Sequence, residues 1–219
     1  VQITLGASVP GRAAALVAAA AFSGVRMRTH VYVDGYNLYY GCLKRTPYKW
    51  LNIHALCCAL LPQNDIRAIR YFTAQVSGTP HDPDQPTRQQ TYFRALRTLP
   101  QVSIHLGHFL THEVTMPDAA DWKNGRYTGR QVMKTEEKGS DVNLATYLLV
   151  DAFDDAFDVA VIVSNDSDLK EPISVVRNRF GKTIGILNPQ AKVSRALQPL
   201  AHFIKPIRPG ALANAQFPP

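Results

Sequence analysis

The segment Phe157–Val163 is apolar almost throughout, too short for a helix, and runs directly into Ser164-Asn165-Asp166-Ser167-Asp168. A strand of that composition is buried on both faces, which requires a sheet covered by helices on either side. The rest of the chain supplies the partners. His30–Val33 reads as a strand stopping at Asp34-Gly35, and Ile66–Val76, Val102–Leu110, Thr183–Leu187 and a short piece near Phe203-Ile204 read as further strands. Leu51–Leu61, Arg88–Leu99, Val142–Phe153, Leu169–Phe180 and Ser194–Leu200 have helical spacing, with Pro172 tolerated in the first turn of its helix. Ser77–Pro86 is a loop broken by Pro and Gly, while Pro117–Gly129 is a loop or a hairpin. The alternation predicts an α/β fold with a central, mostly parallel sheet. The domain is expected to span 27–207. Residues 1–26 then form a leader (non-native or disordered, a small extra helix, or a secretion signal) and 208–219 a C-terminal tail.

Charge is unevenly distributed along this frame. Lys plus Arg number 24 against 17 Asp plus Glu, a net +7, yet ten of the carboxylates fall between Glu136 and Glu171. Beyond Glu171 there is no acidic residue, while seven Lys and Arg follow. A basic surface beside an acidic patch suits a polyanion that meets metal-binding carboxylates, although solubility charge gives the same sums. The three cysteines, Cys42, Cys57 and Cys58, form no C-x-x-C pair, which excludes a disulfide scaffold or a structural zinc cluster and points to a reducing, cytoplasmic setting. No run approaches the ~18 apolar residues of a membrane span.

In open parallel sheets ligands bind beyond the carboxyl ends of the strands. Asp34 stands at one such end, and Asp166 and Asp168 at another; Asp141 opens the helix after Glu136-Glu137-Lys138-Gly139-Ser140. Carboxylates gathered on one rim repel one another unless a cation lies between them. All-oxygen ligands favour Mg²⁺ or Mn²⁺, ions suited to orienting water and offsetting charge in phosphodiester hydrolysis. Three of the aspartates also have a simpler explanation, Asp34-Gly35 as a turn and Asp141 and Asp168 as helix N-caps; Asp166 is harder to dismiss, since a cap is needed once and not twice in three residues. Glu136 and Glu137 read as solvated. His105, His108 and His112 do not make a zinc site, because strand residues three apart face opposite sides.

Val33-Asp34-Gly35-Tyr36-Asn37-Leu38-Tyr39 resembles the opening motif of NYN domains, within the PIN-like nuclease superfamily. Lys138-Gly139-Ser140-Asp141-Val142 and Val161-Ile162-Val163-Ser164-Asn165-Asp166-Ser167-Asp168-Leu169 resemble its second and third motifs, and the Gly181-Lys182-Thr183 turn is similar as well. Order and spacing agree from about His30 to Ile207, in the manner of the bacterial LabA-like branch. The resemblance implies a Rossmann-like, three-layer PIN-like sandwich and a divalent-metal-dependent ribonuclease. Asp34, Asp141, Asp166 and Asp168 would hold the metal, with Asn37 a polar partner and Ser164 and Asn165 shaping the loop. Asn165 departs from the glycine of many relatives.

Arg126, Arg130, Lys134, Lys138 and Lys170 flank these motifs as candidate phosphate contacts, and Tyr36, Tyr39, Tyr40 and Trp50 could stack unpaired bases or simply pack. The partner implied is single-stranded or looped RNA, with a homodimer left open and no membrane. The alternatives are a non-catalytic RNA- or metal-binding module of the same fold and a haloacid-dehalogenase-like phosphatase. The latter needs D-x-D after the first strand, where this chain has Tyr36. Neither nucleotide-binding glycine motif is present.

Overall fold

The computed structural model describes residues 26–218, so the expectations for residues 1–25 lie outside the described residues. In chain order the elements are β1 (Met27–Asp34), α1 (Gly35–Leu38) continued by a π-helical turn (Tyr39–Leu43), α2 (Ile53–Leu60), β2 (Asn64–Ala74), α3 (Gln85–Leu96) and β3 (Val102–Pro117). Then come α4 (Ala119–Lys123), β4 (Gly129–Lys138), α5 (Ser140–Phe153), β5 (Val159–Val163), a 3-10 turn (Ser167–Leu169) and α6 (Lys170–Asn178). The chain closes with β6 (Thr183–Asn188), a 3-10 turn (Gln198–Leu200), β7 (Phe203–Pro206) and α7 (Pro209–Ala213).

The strands form one seven-stranded sheet in the order β4-β3-β2-β1-β5-β6-β7. Every pairing is parallel except β3 with β4. This is the expected α/β architecture, and its strand order reverses at β1, whose neighbours are β2 and β5.

Two cores cover the faces. Val31, Val33, Ile69 and Val161 pack under Leu56 and Cys57 of α2, Phe93 and Leu96 of α3 and Leu212 of α7. Tyr32, Phe72, Ile162 and Ile184 pack under Leu144 and Leu148 of α5 and Ile173 and Val176 of α6. Each such side chain contributes about 1.5–3 kcal/mol by leaving water. Period-2 alternation in β1 therefore feeds both layers, and β5 is buried at all its positions, as its composition requires.

A buried ionic cluster ties α5 to the sheet. The Asp151 carboxylate accepts from Tyr32 Oη at 2.7 Å and from Arg70 Nε and a terminal Arg70 nitrogen, both at 2.7 Å, with His30 Nδ1 at 3.2 Å. Arg70 also lies over the Tyr147 ring, 4.7 Å from its centroid. Burial pushes the Asp151 carboxyl up, but the hydrogen bonds from His30, Arg70 and Tyr32 outweigh it and hold the group well below the usual carboxylate range.

Three expectations need correction. The strand from Val102 does not stop at Leu110 but continues to Pro117 and pairs with β4, Phe109 opposite Glu137, so the polar stretch after Pro117 is the tip of a hairpin carrying α4. Ser194–Leu200 is not a helix; only Gln198–Leu200 winds, as a 3-10 turn, because Pro199 supplies no N–H to a longer ladder. The expected tail from Pro206 does not trail off over its described residues, which end at Pro218: α7 packs on α2, Leu212 and Ala215 are buried, and Phe217 N donates to Trp50 O at 2.8 Å. Among the described residues no helix is long and apolar enough to cross a membrane.

Candidate functional site

The site forms where the strand order reverses. Val33 of β1 pairs with Val163 of β5, so the next residues, Asp34 and Ser164, emerge side by side. Gly35 then starts α1 so close to β2 that an added Cβ would lie 2.8 Å from Phe72 O and from the Tyr71 ring, which excludes any side chain there. At the end of β4, on the same side of β1 as β2, Gly139 adopts a left-handed φ of +98° and turns the chain into α5, whose first turn carries Asp141.

Asp34 is 6% exposed. One carboxylate oxygen accepts from Asn37 N at 2.9 Å and the other from Ser164 Oγ at 2.9 Å. The buried Ser164 hydroxyl in turn accepts from Asp166 N at 3.1 Å, which links the two acidic strand ends. Asn165 N donates to Asn37 Oδ1 at 3.1 Å, and the Asn165 side chain ties the loop to Lys192 O and Ser194 N. The asparagine in place of glycine thus has a structural use, latching the β5 loop to the loop after β6.

One carboxylate oxygen each from Asp34, Asp141 and Asp166 lies within 4.8 Å of the others. They line a cavity of about 190 Å³ with Tyr36, Asn37, Glu137 and Ser140. Asp168 stands outside this tight group, exposed, its N–H donating to Asp166 Oδ1 at 3.0 Å. The capping roles fall elsewhere than the sequence suggests. Asp34 caps α1, Asp166 caps the 3-10 turn, and Glu137 accepts from Ser140 N and Oγ at 3.1 and 2.7 Å; neither Asp141 nor Asp168 caps a helix. Glu137 is the residue that sequence reasoning missed: it is bonded at the cavity wall rather than solvated. Its signal was an acid three residues before the first residue of a helix.

The electrostatics follow from this crowding. Burial pushes the Asp34 carboxyl above its ordinary range, opposed by the Asn37 N–H and the Ser164 hydroxyl, with the Asp166 charge adding to the rise. Asp141 is pushed up to about 6, first by burial and then by the charges of Asp34, Asp166, Glu137 and Asp168. A donor set of carboxylates that resists full ionisation fits a hard divalent cation such as Mg²⁺ or Mn²⁺, which would relieve the repulsion.

A pH effect on stability follows. Because the folded chain holds the Asp141 proton up to about pH 6 whereas an unperturbed aspartate releases it near 3.8, the metal-free protein loses stability as pH rises through that interval. His105 and His202, both held below their ordinary values mainly by burial, give the opposite slope just below 6.5. The difference between wild type and Asp141→Asn isolates the aspartate. In thermal melts with chelator, Asp141→Asn is expected to be the more stable of the two at pH 7 and to lose this advantage by pH 4.

The proposed phosphate contacts are dispersed and paired. Arg130 bonds Asp118 at 3.0 Å, Lys134 and Lys138 hold Glu136 at 2.6 and 3.2 Å, and Lys170 lies 3.9 Å from Glu171. By strand alternation Lys134, Glu136 and Lys138 share the face of β4 opposite to Glu137. A second, larger cavity of about 870 Å³ adjoins the acidic one, with Tyr36 in the wall of both; Tyr39, Tyr40 and Trp50 line it too.

The sequence matches the NYN domain family over residues 28–207. A curated relative, the 6-hydroxy-3-succinoylpyridine 3-monooxygenase HspA of Pseudomonas putida, is 34% identical over 220 residues, covering 88% of this chain and 70% of that protein. A solved structure of a protein of unknown function from Vibrio parahaemolyticus superposes with a TM-score of 0.57 at 16% identity, covering 88% of this chain and 97% of that one, which shows a shared fold.

Proposed function

This chain belongs to the NYN domain family, and from that premise we propose that it is a divalent-metal-dependent ribonuclease, an endonuclease hydrolysing phosphodiester bonds of single-stranded or looped RNA. The observation that carries this reading is the approach of three carboxylates from three separate elements to within 4.8 Å at the reversal point of the sheet. Asp34, Asp141 and Asp166 would hold the cation, Mg²⁺ or Mn²⁺. When bound, such an ion supplies Lewis acidity toward a phosphoryl oxygen and favours ionisation of nearby water.

The other residues position these three. Ser164 fixes the spacing between Asp34 and Asp166 by bonding both. Asn37 has its Oδ1 occupied by Asn165 N, which leaves its amide NH₂ as a donor for a phosphate oxygen. Glu137 holds the start of α5, and so Asp141, in place through Ser140. Asp168 adds charge beside Asp141 from outside the group.

A second reading comes from the pyridine monooxygenase relative. The 870 Å³ aromatic cavity beside the carboxylates has the size and lining for a small planar ring, so oxygenation of a hydroxypyridine is the competing activity. The test runs both assays on purified protein. Labelled single-stranded RNA with Mg²⁺ or Mn²⁺ is expected to be cleaved, and EDTA to stop the cleavage. Uncut RNA, together with dioxygen uptake that depends on 6-hydroxy-3-succinoylpyridine and a reductant, would replace the nuclease reading. RNA bound but never cut, with no oxygen uptake, would leave a binding module.

A further inference from the structure

The geometry points to the aromatic cavity as a base-stacking subsite: it takes unpaired nucleobases of the strand whose phosphate lies at the carboxylates, with little discrimination among bases. The inference rests on the ribonuclease reading and adds to it how the substrate is held.

Continuity is the first support. Tyr36 lines both cavities, so a strand with one phosphate beside Asp34 and Asp166 has the larger space next to it. The volume of about 870 Å³ has room for more than one ring.

The wall chemistry is the second. Tyr36 and Tyr40, one helical turn apart, hold their rings within 24° of parallel at 6.4 Å between centroids, and Tyr40 is 59% exposed. Trp50 lies against Tyr92 and Phe217, each at 6.0 Å. Some of the polar atoms that line the cavity are spent on the protein itself. Tyr36 Oη donates to Ala74 O, Tyr92 Oη donates to Leu51 O, Thr111 and Thr135 bond each other, and Gln89 bonds Ala74 O and Val76 N. Ring faces stack any base, because every base has a π-face, and so discriminate little among them.

Charge is the third. From Gly35 to Asn64 the chain has no acidic residue. Lys44, Arg45 and Lys49 are exposed there, and none meets a carboxylate at ion-pair distance among the described residues. Lys44 Nζ sits 4.5 Å from the Tyr40 ring centroid and Lys49 lines the cavity. The other charged lining residues, Asp82 and Arg88, pair with each other. Positive charge beside stacked rings matches a phosphate backbone carrying unpaired bases.

The chain has two tryptophans, Trp50 and Trp122, so in Trp122→Phe the emission reports on Trp50 alone. Titration in EDTA, where no cleavage occurs, with single-stranded oligonucleotides of each base is expected to quench Trp50 with affinities within about tenfold of one another. Duplex of the same length is expected to leave the emission unchanged. Adding Tyr40→Ala should weaken binding by about tenfold, measured by anisotropy of labelled oligonucleotide, and Tyr40→Phe should restore it. Equal binding of duplex and single strand, no quenching by any strand, or quenching by 6-hydroxy-3-succinoylpyridine with none by oligonucleotides would overturn the subsite. Cleavage without Trp50 quenching would refute the subsite and leave the nuclease; quenching without cleavage in Mg²⁺ or Mn²⁺ would do the reverse.

Discussion

Asp34→Asn is expected to lower metal-dependent RNA cleavage by about a thousandfold while leaving the fold intact. Asp34 is the most enclosed of the three clustered carboxylates and the one held by two donors, Asn37 N and Ser164 Oγ. A carboxamide keeps the shape but has a single acceptor oxygen, so one donor faces an NH₂ group and the negative charge for the cation is lost. Burial already penalises that charge in the metal-free protein, so its removal should change thermal stability by no more than about 1 kcal/mol in chelator. Single-turnover cleavage at saturating Mn²⁺, beside a melt of the same sample, separates the two effects. Asp168→Asn, outside the tight group, should cost only about tenfold. Cleavage retained within tenfold in Asp34→Asn would remove this residue from the site.

Asp151→Ala carries the largest expected effect on stability. The carboxylate joins α5 to β1 through His30 and Tyr32 and to β2 through Arg70. Its loss strands the Arg70 guanidinium, whose side chain is only 21% exposed, and breaking a buried pair in this way costs about 3–5 kcal/mol. For a domain of this size that is a fall on the order of 10 °C in Tm. Because the folded-state carboxyl is held below its unfolded value, its contribution is present above about pH 4 and fades as pH falls further, so the gap between wild type and variant should narrow in acid. Asp151 shares α5 with Asp141, so the same cluster fixes Asp141 against the strand that ends in Asp34. A melting temperature within 2 °C of wild type at pH 7 would contradict the assigned role.

The parts of the fold that bury a repeating face were legible in the sequence. β1 and β5, α5 and α6 each present a core pattern of period 2 or 3.6, or an unbroken apolar run, and the acidic residues follow directly where the two strands end. The hairpin was not legible because its outer half buries almost nothing: beyond Leu106 the side chains of β3, and all of those of β4, are exposed or only half-buried, so no alternation of polarity marks a strand. The segment over Pro209–Ala213 was hidden in the same way, being five residues long and relying on Leu212 and Ala215 alone. At the site, Asp34, Asp141 and Asp166 stand in recognisable motifs. Glu137 could not be told from its solvated neighbour Glu136, since adjacent strand residues face opposite sides and only the register with β3 decides which turns inward.

The most direct test is titration of Mn²⁺ into the metal-free protein by calorimetry, with Asp34→Asn, Asp141→Asn, Asp166→Asn and Asp168→Asn in parallel. Saturable binding in the wild type, lost in each of the first three variants and retained in Asp168→Asn, is the result that a cation held by the three clustered carboxylates requires. A wild type that takes up no Mn²⁺, or uptake unchanged by all four substitutions, would contradict it.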